Sequence, residues 1–128
     1  MDAVTTTPGA EFARALAEKN FERIVELLDP EVDFRGMTPS RAWEASDPDG
    51  VVGDVLTEWF EEPNEILALE SVAAEPFADV ERVGYRFRVR NPDGVFLVDQ
   101  QAYVASRDGR ITWMRVLCSG FRPIEPSD

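Results

Sequence analysis

The hydrophobic pattern changes its period halfway along the chain, and this change restricts the folds that the sequence can adopt. Before Pro63, apolar residues recur every three or four positions, as on the buried face of an α-helix. After Pro63 the period becomes two, which predicts four long β-strands. These strands cover residues 66–74, 80–90, 94–105 and 110–119. Turn residues separate the last three, so we expect helices followed by an antiparallel meander, an α+β fold.

Three helix starts are marked by capping residues in the first half of the chain. Thr7, Asn20 and Asp47 can each cap a helix, and proline at the first helical position follows Thr7 and Asp47. The second helix ends at Asp29-Pro30, and residues 32–34 alternate as in a short strand. The pattern predicts three N-terminal helices that pack on a curved antiparallel sheet.

The segment 36–46 has no clean period, and we interpret it as a loop or a broken helix. It contains Arg41 and Trp43. Two roles stay open for it: covering the mouth of a cavity, or packing Trp43 over the core. The third helix that follows has a wide apolar face, which indicates deep packing.

Length, charge and cysteine content restrict the class of protein. The 128 residues predict one domain over 1–128, with loose ends at about 1–6 and 123–128. The net charge of −12 would repel nucleic acid and an anionic membrane, so we expect neither as a partner. The single cysteine, Cys118, excludes an internal disulfide and favours the cytoplasm.

Histidine is absent, which removes several kinds of site. Catalytic triads, Cys–His pairs and zinc sites built on histidine are excluded. The acids around Gly50 do not form a calcium loop, because Leu56 stands where the closing glutamate is needed. We therefore predict no metal and no cofactor. Any acid–base chemistry must come from carboxylates, tyrosine, Lys19 or Cys118, and Cys118 is more typical of an inert core residue.

The fourth predicted strand suggests an interface on the outer face of the sheet. Trp113, Arg115 and Leu117 alternate with small and apolar residues. Tryptophan and arginine are enriched at protein interfaces, so this set predicts a homodimer through the outer sheet face. On the strand 80–90, four arginines oppose an apolar face and are expected to pair with carboxylates on neighbouring strands.

The strand 94–105 leaves its orientation open. One face carries Asp99, Gln101 and Tyr103, and the other is more apolar. If the polar set faces a cavity, Asp99 becomes a general acid or base, and Gln101 and Tyr103 orient a carbonyl or stabilise an enolate. If it faces solvent, Asp99 is a surface acid paired with the arginines.

The stretch 101–118, centred on the hairpin at 108–115, resembles the last hairpin of nuclear-transport-factor-2-like proteins. Residues 17–34 resemble their first helix pair and the strand after it. The superfamily includes SnoaL-like polyketide cyclases, ketosteroid isomerases and limonene-epoxide hydrolases. The resemblance implies a cone-shaped pocket between sheet and helices. We predict that it is lined by Phe12, Phe34, Trp43, Trp59, Tyr85, Gln101, Met114 and Cys118.

The resemblance argues against steroid isomerisation. That reaction needs a tyrosine, a base aspartate and a protonated aspartate, and these positions fall at Phe12, Gly36 and Gln101. Two functions stay open. In the first, the chain is a cyclase, isomerase or hydrolase. It holds a small, mostly apolar molecule in the cone and uses a carboxylate such as Asp99 as its acid–base group. In the second, the chain is a non-catalytic binding or dimerisation module whose cone is filled by its own side chains.

Overall fold

The structure is a computed structural model and describes residues 7–124. The helices are α1 (Pro8–Ala17) and α2 (Phe21–Leu27), followed later by a helical segment 48–59. That segment consists of α3 (Pro48–Gly50), a π-helical stretch (Val51–Leu56) and α4 (Thr57–Trp59). The strands are β1 (Leu28–Thr38), β2 (Arg41–Ala45), β3 (Glu65–Phe77), β4 (Val80–Asn91), β5 (Gly94–Arg107), β6 (Arg110–Cys118) and β7 (Arg122–Pro123).

The three predicted helix starts are confirmed by their caps. The side-chain oxygens of Thr7, Asn20 and Asp47 each accept a hydrogen bond from the backbone N–H three residues later, at 3.2, 3.2 and 2.7 Å. Each bond satisfies one of the N–H groups that a helix leaves free at its first turn. No helix within residues 7–124 is long and apolar enough to cross a lipid bilayer.

The strands form one sheet in the order β2-β1-β6-β5-β4-β3, with β7 beside β5. The predicted meander from β3 to β6 is confirmed as antiparallel. The sheet as a whole is mixed rather than purely antiparallel, because β1 pairs with β6 in parallel. The turn between β5 and β6 places Asp108 and Gly109 at φ 55° and 80°, the left-handed values that a tight hairpin requires.

The segment 36–46 contains a β-hairpin, so our prediction of a loop or broken helix is wrong. β1 extends to Thr38, and β2 pairs with it so that Gly36 lies opposite Trp43. Trp43 packs edge-on against Trp59, with ring centres 6.1 Å apart. This tertiary contact stabilises a strand that the local sequence pattern does not mark. Gly36 is required there, because a Cβ at this position would lie 2.9 Å from the ring of Trp59.

The helices cover one face of the sheet, which we call the inner face, and the hydrophobic core lies between the sheet and the helices. Phe12, Leu16 and Ile24 contribute the helical side of this core and are fully buried. On β4, Val83, Tyr85, Phe87 and Val89 all face inward, as their alternation predicts. Aromatic rings interlock across the cone: Phe87 lies 5.5 Å from Phe60 and 5.4 Å from Tyr85. The predicted α+β cone fold is therefore confirmed.

The two chain ends fall mostly outside the described residues. The predicted loose ends include 1–6 and 125–128, which lie outside the range 7–124. Pro123 belongs to β7, and Ile124 donates a backbone hydrogen bond of 3.1 Å to Val95. Just before β7, Phe121 packs against Phe60 and Phe96. This end of the chain is therefore fastened to β5 as far as residue 124.

Candidate functional site

Three polar side chains lie side by side on the inner face of the sheet, on three adjacent strands. Tyr85 on β4 pairs in register with Gln100 on β5, and Gln100 pairs with Cys118 on β6. Residues directly opposite each other on antiparallel strands have Cβ atoms about 5 Å apart. We call Tyr85, Gln100 and Cys118 the inner polar row. They are 3%, 2% and 8% exposed.

Most of the polar atoms in this part of the cone have no hydrogen-bond partner within the described chain. Both Nε2 and Oε1 of Gln100 are buried and unpaired, and so is the hydroxyl of Tyr85. The indole Nε1 of Trp59 is also buried without a partner. Leaving a buried donor or acceptor unpaired costs about 1–3 kcal/mol. Native cores contain few such groups, so each of these atoms calls for a partner that the described chain does not supply.

The phenol of Tyr85 is neutral at physiological pH. Burial raises the pKa of the Tyr85 phenol far above its usual range, and the neighbouring Cys118 raises it further. The phenol therefore keeps its proton at neutral pH and acts as a hydrogen-bond donor. The thiol of Cys118 accepts a hydrogen bond of 3.4 Å from the backbone N–H of Gly120.

Apolar side chains surround the row. Phe87 and Val98 occupy the next inward positions on one side, and Val83, Ala102 and Val116 occupy those on the other side, all at most 5% exposed. Apart from Tyr85 and Cys118, Gln100 is the one polar or charged residue that is buried within residues 7–124. A neutral molecule placed against this row would meet hydrogen-bonding groups and apolar side chains, and no carboxylate is buried among the described residues.

Six of the eight predicted pocket residues lie inside the cone. These are Phe12, Phe34, Trp59, Tyr85, Met114 and Cys118, all at most 8% exposed. Trp43 lies at the edge of the cone on β2, half-buried against Trp59. Its indole N–H donates to the hydroxyl of Thr38 at 3.0 Å, and the guanidinium of Arg41 lies 3.8 Å from the centre of the Trp43 ring. Trp43 packs against the core, and its other predicted role, covering the mouth of a cavity, stays a prediction.

The polar set of β5 faces outward, so Asp99, Gln101 and Tyr103 do not line the cone. The side chains of a β-strand alternate between the two faces of the sheet. Because Gln100 lies on the inner face of β5, its odd-numbered neighbours lie on the outer face. Asp99 forms two hydrogen bonds to Arg86, at 2.6 and 3.2 Å, which is the surface pairing that the sequence left open for it. Tyr103 packs on Phe77, with ring centres 5.7 Å apart. A catalytic role inside the cone has no support from these positions.

The predicted pairing of the other β4 arginines is also present. Arg88 and Arg90 form ion pairs with Glu70 and Glu65 on β3, and Arg82 pairs with Glu75. All of these side chains are partly or largely solvent-exposed. The arginines of β4 therefore form solvated cross-strand ion pairs.

Gln100 is a site residue that the sequence pattern did not single out. It stands in the apolar register of β5, between Val98 and Ala102, and the alternation of the strand groups it with them. One amide inside an otherwise apolar register is the signal that marks it, because an unpaired buried amide is costly.

The outer face of the sheet carries a partly apolar patch with a hollow beside it. Trp113, Arg115 and Leu117 all lie there as predicted, with Leu117 63% exposed. Arg115 stacks on the ring of Trp113 at 4.6 Å and donates a 3.0 Å hydrogen bond to the backbone oxygen of Asp33. A shallow hollow of about 620 Å³ lies beside them. Its lining includes Arg35, Met37, Ala42, Glu44, Gln101, Tyr103, Arg115 and Leu117.

A second outer hollow, of about 630 Å³, runs over Gly84 between small residues of β3 and Leu117. Tyr85, Gln100 and Cys118 border it although their side chains face the interior. In the part of the chain that the structure describes, no three histidine, cysteine or acidic side chains come together in a group that could hold a metal ion.

Comparison with solved structures identifies the fold. A candidate isomerase from Bacillus subtilis superposes with a TM-score of 0.72 at 13% identity, over 87% of this chain and 83% of that one. A ketosteroid-isomerase-like protein from Catenulispora acidiphila, in complex with trimethylamine, gives 0.66 at 13% identity, over 88% and 85%. A candidate polyketide cyclase from Streptomyces antibioticus gives 0.63 at 16% identity, over 87% and 88%. No family model and no curated protein matches the sequence. The chain thus has the cone-shaped α+β fold of these structures, a fold of the nuclear-transport-factor-2-like type.

Proposed function

We propose that the cone of this protein binds a small, mostly apolar molecule whose polar group is held by Gln100 and Tyr85. The observation that carries the proposal is the amide of Gln100, which is 2% exposed and has no partner for either of its polar atoms among residues 7–124. The unpaired hydroxyl of Tyr85 lies on the adjacent strand. A ligand that satisfies both groups regains the free energy that is lost when they are buried unpaired.

The chemistry of the cone favours binding over carboxylate catalysis. The carboxyl of Asp99 lies on the outer face, and no acidic residue is buried in the described chain. In the resemblance to ketosteroid isomerases, Phe12 and Gly36 fall at the positions of the tyrosine and the base that the isomerase reaction needs. The solved neighbours include a candidate isomerase and a candidate polyketide cyclase, which supports a small organic molecule as the ligand. The fold alone does not carry an activity from them to this chain.

Native mass spectrometry of freshly purified protein tests this proposal. The wild-type protein should carry a bound small molecule, and Gln100→Leu should lose it. Gln101→Leu is the matched control, since it makes the same change on the next residue of the same strand but on the outer face. The proposal would be refuted if the wild-type protein is purified without a bound small molecule and also binds no compound from a library of small apolar molecules.

A second proposal concerns the outer face, where we keep the predicted homodimer. Leu117 and Met37 are 63% and 55% exposed and border the same hollow of about 620 Å³. Exposed apolar side chains around a concave patch are typical of an interface. The proposal makes Trp113, Arg115 and Leu117 the centre of contact between two copies.

Light scattering after size exclusion tests the homodimer. Wild-type protein should have the mass of two chains, and Leu117→Glu should have the mass of one, because it would bury a charge at the contact. Leu67→Glu is the control, since Leu67 is also exposed but lies on the edge strand β3. A monomeric wild-type protein at micromolar concentration would end this proposal.

The predicted cytoplasmic location and the predicted lack of nucleic-acid partners stay predictions. They depend on the single cysteine and the net charge of −12. Fluorescence imaging and a gel-shift assay at low salt would check them.

A further inference from the structure

Building on the proposed function, we infer that the ligand in the cone carries a neutral cis-amide edge, as a lactam does, on an otherwise hydrocarbon framework. Two observations support this chemical class. One is that both polar atoms of Gln100, the single buried amide among residues 7–124, lack a partner, and the other is that the side chains around it are uncharged.

The carboxamide of Gln100 presents one donor side and one acceptor side in a single plane, and both are free. Nε2 and Oε1 are buried, and neither has a partner among residues 7–124. A molecule that satisfies both must offer an acceptor and a donor side by side. A cis-amide does this, because its C=O accepts from Nε2 while its N–H donates to Oε1. A ketone or an ester has no donor and would leave Oε1 unpaired in the ligand-bound cone.

Tyr85 adds a third interaction of the same kind. Its hydroxyl is buried and unpaired, and it lies directly across the strand pair from Gln100. A carbonyl oxygen has two lone pairs, so it can accept from Gln100 and from the Tyr85 hydroxyl together. The third member of the row, Cys118, is already engaged with the backbone N–H of Gly120.

The lining of the cone requires a neutral ligand. No arginine or lysine is fully buried in the described chain, so an anionic group would be desolvated without a counter-charge. A cationic group would meet the same cost, since no carboxylate is fully buried there either. Around Gln100 the inner face presents Phe87, Val98 and Ala102. The framework that bears the amide must therefore be apolar.

Three ring compounds of nearly equal size separate the amide edge from general apolar binding. Caprolactam has the donor and the acceptor, caprolactone has acceptors only, and cycloheptanone has a ketone oxygen only. Each is titrated into ligand-free, nitrogen-15-labelled protein, and the side-chain NH₂ signals of Gln100 are followed by NMR. Gln100→Leu assigns those signals by their loss.

We expect caprolactam to bind about 10-fold or more tightly than the other two rings, since an unpaired buried acceptor carries a desolvation penalty that only the lactam N–H relieves. The preference should disappear in Gln100→Leu and persist in Gln101→Leu. If Gln100→Leu does not fold, Gln100→Met provides the same test with a flexible side chain.

The outcomes are distinct from those for the proposed function. Equal affinity for all three rings in the wild-type protein would overturn the amide inference while the proposed binding function stands. Failure of caprolactam to shift the Gln100 signals would also overturn the inference, and native mass spectrometry would decide the proposed function separately. A caprolactam preference that survives in Gln100→Leu would place the recognition elsewhere and refute the role of this residue.

Discussion

Replacing Gln100 by leucine should stabilise the ligand-free protein. The amide is 2% exposed and its two polar atoms are unpaired, so the folded state bears a desolvation cost that leucine does not. Mutational data place this cost at about 1–3 kcal/mol. Leucine is also well suited to the apolar register that includes Val98 and Ala102. We therefore expect the free energy of unfolding to rise by about 1–3 kcal/mol, and the melting temperature by at least about 3 °C.

The assay is urea unfolding of protein that has been refolded from denaturant to remove any bound molecule. The dependence of the free energy on urea should be unchanged between variants, so that a shift in midpoint reports stability alone. Gln101→Leu, on the exposed face of the same strand, should stay within about 0.5 kcal/mol of wild type. A Gln100→Leu variant that is less stable than wild type by about 1 kcal/mol or more would refute the reasoning. It would mean that Gln100 makes hydrogen bonds that hold the core together.

Three other predictions concern the core and the sheet around it. The pKa of the Tyr85 phenol is raised by burial and then by Cys118, so above about pH 10 the unfolded chain loses a proton that the folded protein keeps. Wild type should therefore lose up to about 1.4 kcal/mol of stability per pH unit there relative to Tyr85→Phe, and parallel pH profiles would contradict this. Gly36→Ala should lower the free energy of unfolding by about 1–3 kcal/mol, because the added Cβ would lie 2.9 Å from Trp59. Gly53→Ala is the control: no atom lies within 4 Å of the added Cβ, so thermal melts should show a neutral or stabilising effect. Asp99→Asn should change stability by less than about 1 kcal/mol and leave ligand binding intact in calorimetry, since its ion pair is exposed.

The fold was predictable because local and long-range signals agree over most of the chain. Capping oxygens at Thr7, Asn20 and Asp47 mark the helix starts, and the period of two marks the long strands. The hairpin with Trp43 was not predictable from its own residues. Its strand β2 is stabilised by the contact of Trp43 with Trp59, which lies 16 positions further along the chain.

The candidate site was predicted less completely than the fold, for a reason that lies in β5. Both faces of this strand mix polar and apolar residues, so the pattern alone left its orientation open. The three polar residues in line, headed by Asp99, suggested a site, but they lie on the outer face, where Asp99 pairs with Arg86. The lone Gln100 in the apolar register was the more informative signal, because burial makes an isolated polar group costly while exposure makes a polar row ordinary.

The most direct test of ligand binding in the cone is a crystal structure of protein purified quickly from its own cells and never unfolded. We predict electron density for a non-protein molecule within hydrogen-bond distance of Gln100 and of the Tyr85 hydroxyl. The result that would contradict this is a cone in which Gln100 and Tyr85 are paired with protein groups and side chains fill the space between the sheet and the helices.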